Sequence, residues 1–404
     1  MDAKIKQEIE NCFYWGANPA NCYGALAKMD AHLDEIDFDD DDDLEAVIDI
    51  ALRSMRMDEK SVEFVEYLIS KGFDINTKLV KKDCLILRAV RDRLDSSVIG
   101  KLVDLGADIY SETSDGDNVL LLVAGKSEEL ALYFTENFDL SRMDRADKFG
   151  ITPLMYAVMG NYVQLTESLI AHGSDVNVAG TQPFGGCGYW MSMDGVTPLA
   201  LAFRHGNTEI AKMLLEAGAD ETIRDAKGNP PVFSLLRYPF RFFANSRYND
   251  PIFERKCEML SLLKDLELTD AQGYTVLMRS LCDSEDSFDK ARAYDNLPIT
   301  LALLERGVNI EAVGNDGKRP LHLAVQALGD VEKKLVKAGA DLNVQDREGN
   351  TPLLIACRYS SEKVVRYLVK AGADITMKNS KGETAMDIAA ERGYSDAMEL
   401  MMGQ

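Results

Sequence analysis

The chain has 404 residues, of which 46% are hydrophobic and 28% charged, and its formal net charge is −22. So acidic a protein repels phosphate backbones and anionic lipid surfaces, which argues against a general nucleic-acid binder and against docking on a membrane. No run approaches the roughly 18 apolar residues of a membrane-spanning helix, the N-terminus lacks the apolar core of a signal peptide, and the seven scattered cysteines form no CxxC pair. We therefore expect reduced thiols and a cytoplasmic location.

Residues 1–43 precede the regular part of the chain. Ile5, Ile9 and Phe13 have helical spacing and predict a helical cap, and an acidic linker follows at 37–43. Clustered carboxylates raise the alternative of a calcium site, but spaced ligands and a turn glycine are missing. The linker is better explained as a solvated segment whose acids favour the N-terminus of the next helix.

From residue 44 onward the sequence repeats itself. The segment GADLNVQDREGNTPLLIA at 339–356 aligns with GADITMKNSKGETAMDIA at 372–389, an offset of 33 residues. Three units place a capping threonine before a proline, in the Thr-Pro-Leu segments at 152–154, 197–199 and 351–353. A short apolar helix, a turn and a second helix follow, and a glycine ends the second helix. In the second helix at 208–218, Ile210 and Leu214 predict a buried stripe.

This period and these motifs resemble the ankyrin repeat family, including bacterial ankyrin proteins, with about ten units. The resemblance implies an all-α fold, an ankyrin-like α-solenoid of stacked helix pairs with short β-hairpin fingers. We assign residues 44–381 to the repeat array and 382–404 to a C-terminal capping repeat. The histidine that the family places after the Thr-Pro-Leu leucine survives only as His322, where Arg319 replaces the threonine.

Three insertions lengthen the basic period. Residues 178–193 fall where the family projects a β-hairpin finger, and residues 238–250 and 282–296 fall between the helices of consecutive units. Loops added to a rigid scaffold often carry function. The absence of Gly/Ser linkers between units favours one continuous array.

Catalytic signals are weak throughout the sequence. The glycine-rich run at 185–188 does not lead into a helix, so we interpret it as a finger tip and not as a phosphate loop. Cys187 has no neighbouring histidine or lysine in sequence to activate it, and four dispersed histidines leave little material for a metal site. We predict a protein that is not an enzyme and that uses no cofactor or metal.

Partner binding has better candidates. In ankyrin repeats the residues around each turn glycine and the exposed end of the first helix form a concave contact surface, and aromatic residues and arginine dominate interface energetics. Met159, Arg358 and Tyr359 are also at the ends of first helices. The apolar candidates could alternatively pack inside the protein. The basic and aromatic stretch at 237–243 could alternatively bind single-stranded nucleic acid by stacking on its bases, which the acidity of the chain disfavours. The predicted partner-binding residues are Lys148, Phe149, Ile151, Phe184, Tyr189, Trp190, Met193, Asp194, Val196, Arg204, His205, Tyr274, Arg241 and Phe242.

The acidity is unevenly distributed. Residues 1–60 contain 16 acidic and 6 basic side chains, whereas residues 316–404 contain 13 of each. An acidic field steers basic partners, so we expect a monomeric scaffold that captures a basic protein and binds neither nucleic acid nor membrane. An immunity or antidote-like inhibitor of a cationic toxin fits this description. The alternatives are a structural or regulatory module of a larger complex, or a host-directed effector.

Overall fold

The computed structural model of the protein describes residues 62–78, 84–142, 144–181, 183–186, 189–237, 252–282, 296–327 and 330–403, with scattered positions between 31 and 52. The predicted N-terminal cap and acidic linker, apart from Ala31 and Asp43, lie outside the described residues. The insertion at 238–250 and residues 283–295 of the third insertion also lie outside them.

The described chain forms two compact units. The first comprises residues 1–175 and 180–187, and the second comprises 176–179 and 188–404. In the first unit the α-helices are α1 (Val62–Ser70), α2 (Leu85–Arg91), α3 (Ser96–Asp104), α4 (Val119–Ala124), α5 (Glu128–Asn137), α6 (Pro153–Gly160) and α7 (Val163–Ala171). The inner helices α2, α4 and α6 pack side by side, and the outer helices α3, α5 and α7 pack in the same order.

The second unit continues the helix pairs. Its α-helices are α8 (Pro198–His205), α9 (Thr208–Glu216), α10 (Ile252–Met259), α11 (Val276–Ser280), α12 (Leu297–Glu305), α13 (Pro320–Ala324), α14 (Val331–Lys337), α15 (Pro352–Tyr359), α16 (Glu362–Lys370), α17 (Ala385–Arg392) and α18 (Ser395–Met402). Helix α15 packs on α13 and α17, and α16 packs on α18. The prediction of an all-α fold built from repeated helix pairs is confirmed.

The helix starts form as the Thr-Pro-Leu motif predicts. The Thr152 hydroxyl accepts a hydrogen bond from the Met155 amide at 3.2 Å, and Thr197 and Thr351 cap α8 and α15 in the same way. Proline at the next position needs no amide partner because the first turn of a helix has none. Asn161 ends α6 in the left-handed region with φ 56°, where glycine ends other inner helices.

Strands are confined to one finger among the described residues. Strands β1 (Pro183–Gly186) and β2 (Tyr189–Ser192) form a two-stranded sheet, as predicted for the insertion at 178–193. One predicted inner helix is different: a 3₁₀ helix spans Pro231–Leu236. Pro230 stands at its N-cap where other units have a capping threonine, so no side chain caps this helix start.

The other fingers are tight turns. In the turn at 147–151 the Asp147 carboxylate accepts the Phe149 and Ile151 amides, each at 2.8 Å, and the Asp147 amide donates to the Ile151 carbonyl. Gly150 has φ 78°, and a β-carbon there would lie 2.6 Å from the backbone nitrogen of Thr181. Only glycine therefore fits where the next segment crosses this turn.

Side chains at the ends of repeats form hydrogen bonds to the following repeat. The Asn76 amide group donates to the Gly106 carbonyl at 2.9 Å and accepts from the Asp108 amide at 2.7 Å, and Asn343 accepts from the Asp374 amide at 2.8 Å. The asparagine of the repeated GAD-x-N motif thus bonds to the following repeat. Glu362 likewise caps the N-terminus of α18 by accepting from the Ala397 amide at 2.9 Å.

Candidate functional site

An open groove of about 330 Å³ lies in the second unit, between helix α15 and the turns at 346–350 and 379–381. Leu354 and Ile355, which are buried, form part of its lining, and Gln326 follows α13 at its side. We call this cavity the C-terminal groove. Its walls are mainly polar, whereas its deepest residues belong to the hydrophobic core.

The two turns that wall the C-terminal groove are closed by their own hydrogen bonds. The Asp346 carboxylate accepts the Glu348 amide at 2.9 Å and the Asn350 amide at 2.8 Å. Asn379 plays the same part in the next turn, where its carbonyl oxygen accepts the amides of Lys381 and Glu383 at 3.0 and 3.1 Å. Because these polar groups are satisfied locally, the turns hold their shape without a ligand.

Tyr359 and Arg358 stand at the end of α15 and line the C-terminal groove. Tyr359 is 65% exposed, and its side chain makes no hydrogen bond with any described residue. Arg358 is partly buried and forms a 2.5 Å salt bridge with Glu383. An exposed aromatic ring beside an oriented guanidinium matches the composition of interface hot spots. Both residues confirm the sequence prediction that they lie at the accessible end of a first helix.

Positive side chains occur on both sides of the C-terminal groove. Lys318 forms a 3.0 Å salt bridge with Asp316, and Lys381 is exposed without a salt bridge to a described residue. The pKa of Glu383 is lowered mainly by the hydrogen bond from Asn379 and further by the charges of Arg358 and Lys381. The groove therefore presents cations, an aromatic ring and an apolar base within one small surface.

Four of the predicted partner-binding residues are accessible. In the first unit, Lys148 is exposed, forms a 3.0 Å salt bridge with Asp115 and lies 5.4 Å over the partly exposed Phe149 ring. In the second unit, Asp194 is exposed and Arg204 is partly exposed. These four positions remain candidates for contact with a partner.

Four apolar or aromatic candidates are instead buried, so the expectation that they are exposed is wrong. Ile151 is fully buried, Met193 is 1% exposed, and Val196 and Tyr274 are also buried. Ile151, Val196 and Tyr274 each follow a turn glycine, and at these three turns the side chain packs inward. The Tyr274 hydroxyl donates to Asp316 at 2.7 Å, which fixes the ring against the next finger. Met159, the other apolar candidate at a helix end, is buried as well.

His205 is also buried, contrary to its placement on a contact surface. Its pKa is lowered to about 3, mainly by burial and also by the positive charges of Arg204 and Lys256. Lys256 is fully buried, its ammonium donates to the Arg237 carbonyl, and burial holds its pKa well below the ordinary value. These residues fix the packing of α8 against α10, and they are closed to a partner.

The remaining candidates lie in incompletely described segments. Phe184 belongs to β1, and Tyr189 and Trp190 belong to β2, but their side chains are outside the described part of the structure. Arg241 and Phe242 lie wholly outside the described residues. Their roles stay predictions.

Sequence reasoning missed Lys318 and Lys381 as groove residues. Each is next to a turn glycine, Gly317 or Gly382. Taking the residues around every turn glycine as candidates, and not only those of the fingers with apolar side chains, would have included both lysines. Within the described ranges, no group of three or more histidine, cysteine or carboxylate side chains could hold a metal ion, and no helix is long and apolar enough to cross a membrane.

Comparisons with known proteins match parts of this chain to ankyrin repeats. The family model for ankyrin repeats, in three copies, matches residues 144–225 and 327–404. The chain is 32% identical over 203 residues to mouse Rabankyrin-5, an alignment that covers 49% of this chain and 15% of that protein. It is 26% identical over 277 residues to mouse inversin, covering 65% of this chain and 21% of inversin.

Two further similarities are more distant. Phosphocholine transferase AnkX of Legionella pneumophila is 24% identical over 292 residues, which cover 64% of this chain and 28% of that enzyme. The crystal structure of the ankyrin repeat domain of Bcl-3 has a TM-score of 0.46 and 24% identity, covering 62% of this chain and 100% of that domain. The chain spans only about 15 to 28% of the curated relatives named here. With its capped helix pairs, glycine-closed turns and matched segments, the chain contains ankyrin repeats at 144–225 and 327–404.

Proposed function

We propose that this chain is a non-catalytic scaffold that binds a protein partner through its finger turns and inner helices. Ankyrin repeats generally mediate protein–protein interactions. The observation that carries the proposal is Tyr359, a large aromatic side chain that is 65% exposed on a rigid helix beside the C-terminal groove. Burying such a ring against a partner typically contributes about 2 kcal/mol or more at a hot spot.

We further propose that the partner is basic. The net charge of residues 1–60 is −10, whereas residues 316–404, which contain the C-terminal groove, are neutral. Long-range attraction by the acidic part then speeds the encounter, and the groove supplies short-range contacts that slow dissociation. An immunity or antidote-like inhibitor of a cationic toxin is the form of this function that the charge favours.

The alternative functions are a structural or regulatory module of a larger complex and a host-directed effector. The similarity to AnkX, from a bacterial pathogen, motivates the effector alternative, although the aligned part is a minority of that enzyme. Co-purification from the native cell distinguishes the inhibitor from the module. Recovery of a single small basic protein supports the inhibitor, and recovery of a stable assembly of several subunits supports the module.

The groove is tested by comparing Tyr359→Ala with Tyr367→Ala, a matched control on the outer helix α16. We expect partner recovered with the wild-type chain to dissociate at least tenfold faster from Tyr359→Ala and at an unchanged rate from the control. Equal dissociation from all three proteins would contradict the role of the groove. Circular dichroism melting of each variant checks that the loss is not unfolding.

The steering proposal is tested by the association rate. The Debye length falls from about 30 Å at 0.01 M salt to about 10 Å at 0.1 M, so the association rate is expected to fall markedly over this range. A rate that ignores salt, or an acidic partner, would refute steering and leave the groove proposal intact.

A further inference from the structure

Arg93 and Lys126 occupy equivalent places in neighbouring repeats of the first unit. Each is at the turn that follows an inner helix: the Arg93 amide donates to the Val90 carbonyl at 3.1 Å, and the Lys126 amide donates to the Val123 carbonyl at 2.8 Å. The inner helices α2 and α4 that precede them pack directly on each other. Packed helix axes lie about 8–10 Å apart, so these two long side chains can reach the same point.

The backbone at Arg93 is unfavourable for arginine. Its φ is 58°, in the left-handed region, where Asn161 and Gly206 stand at the matching turns of later repeats. Glycine adopts this conformation freely, and a side chain with a β-carbon does so at a cost. The turn therefore contains arginine at a position whose backbone conformation favours glycine. Leu94, the next residue, is buried and anchors the turn.

The two cations are accessible. Arg93 and Lys126 are exposed, and neither side chain makes a hydrogen bond or salt bridge with a described residue. Partial burial lowers the pKa of Lys126, and the positive charges of Arg93 and Arg91 lower it further. Like charges held together in this way favour binding of an anion.

The neighbouring acids form no salt bridge with this pair within the described chain. The Glu128 carboxylate accepts the Gln164 and Leu165 amides at 3.1 and 3.3 Å, so it is engaged at the N-terminus of α7. The charge of Asp117 partly offsets the effect of the two arginines on the pKa of Lys126, but Asp117 does not contact its ammonium. Both cationic groups are therefore available to an anionic ligand.

We propose that Arg93 and Lys126 bind a phosphoryl group carried by a segment of a protein partner. A phosphoryl group has close to two negative charges at neutral pH and three acceptor oxygens, which match two cations better than one carboxylate does. The overall charge of −22 disfavours a nucleic acid or an anionic membrane as the source. This proposal rests on the proposed function, because it names a chemical feature of the same protein partner.

The test uses the full 404-residue chain and three fluorescent peptides that differ only at the central residue of Gly-Ala-X-Ala-Gly: phosphoserine, aspartate or serine. We expect the phosphoserine peptide to bind best, inorganic phosphate to displace it, and the double variant Arg93→Gly/Lys126→Gln to bind it at least tenfold more weakly. Glycine suits the left-handed turn, so this variant keeps the fold. The matched control is Lys71→Gln/Lys101→Gln, which removes two cations elsewhere in the first unit and should bind like wild type.

Three outcomes would overturn the inference: equal binding of the serine and phosphoserine peptides, undiminished binding by the double variant, or equal loss in the control. Tighter binding of a short single-stranded oligonucleotide through the same two residues would overturn the protein source. Failure here is distinct from failure of the proposed function. If the peptides do not bind but Tyr359→Ala still releases the partner faster, only the phosphoryl site is wrong. If the peptides bind as expected but Tyr359→Ala retains the partner, the groove proposal is wrong.

Discussion

Replacement of Leu214 by alanine tests how far the stability of this protein is local. Leu214 lies on α9 and is fully buried, whereas Leu215, the next residue on the same helix, is only partly buried. The substitution removes three carbon atoms, worth about 0.8 kcal/mol per buried methylene, and leaves a cavity that adds to the cost. We expect Leu214→Ala to lower the free energy of unfolding by about 2–5 kcal/mol.

Leu215→Ala is the matched control and should cost clearly less, since its side chain already contacts solvent. Urea denaturation gives the two free energies, and hydrogen exchange followed by mass spectrometry locates the loss. Because each repeat contacts mainly its neighbours, exchange should rise in α8, α9 and α10 more than in α17 and α18. Equal costs for the two variants would refute the burial argument, and a uniform rise in exchange across the second unit would refute local coupling.

Two further predictions concern other contacts. The pKa of His205 is about 3 in the folded protein and about 6.5 when unfolded, so its contribution to stability is complete above pH 6.5 and is lost as the pH falls toward 3. The wild-type protein should therefore lose unfolding free energy between pH 7 and pH 4.5, and His205→Leu should lose up to about 2–3 kcal/mol less over the same range, as measured by urea titration at both pH values. An equal loss in the two proteins would contradict the burial of this ring. Asn343→Ala removes the acceptor for the Asp374 amide and should destabilise the last repeats by about 1 kcal/mol, whereas Lys337→Ala, an exposed control at the end of α14, should be near neutral in the same assay.

The sequence determined the local elements of this protein. Thr152, Pro153 and Asn161 specify where one helix begins and ends, because capping and left-handed turns depend on residues within one turn of the backbone. The same local logic predicted the hairpin at 183–192 and the accessibility of Tyr359. It failed at 231–236, where Pro230 replaces the capping threonine and a 3₁₀ helix forms.

Only the tertiary structure decided which side chains are accessible. Ile151 and Tyr274 are at finger positions that a repeat pattern alone would expose, but contacts within the turn and with the next finger bury them. The effect of the Arg93 charge on the pKa of Lys126, and the burial of Lys256, likewise depend on residues tens of positions apart in sequence. Stacking brings such residues together at distances that no local pattern encodes, and burial and charge follow from those distances.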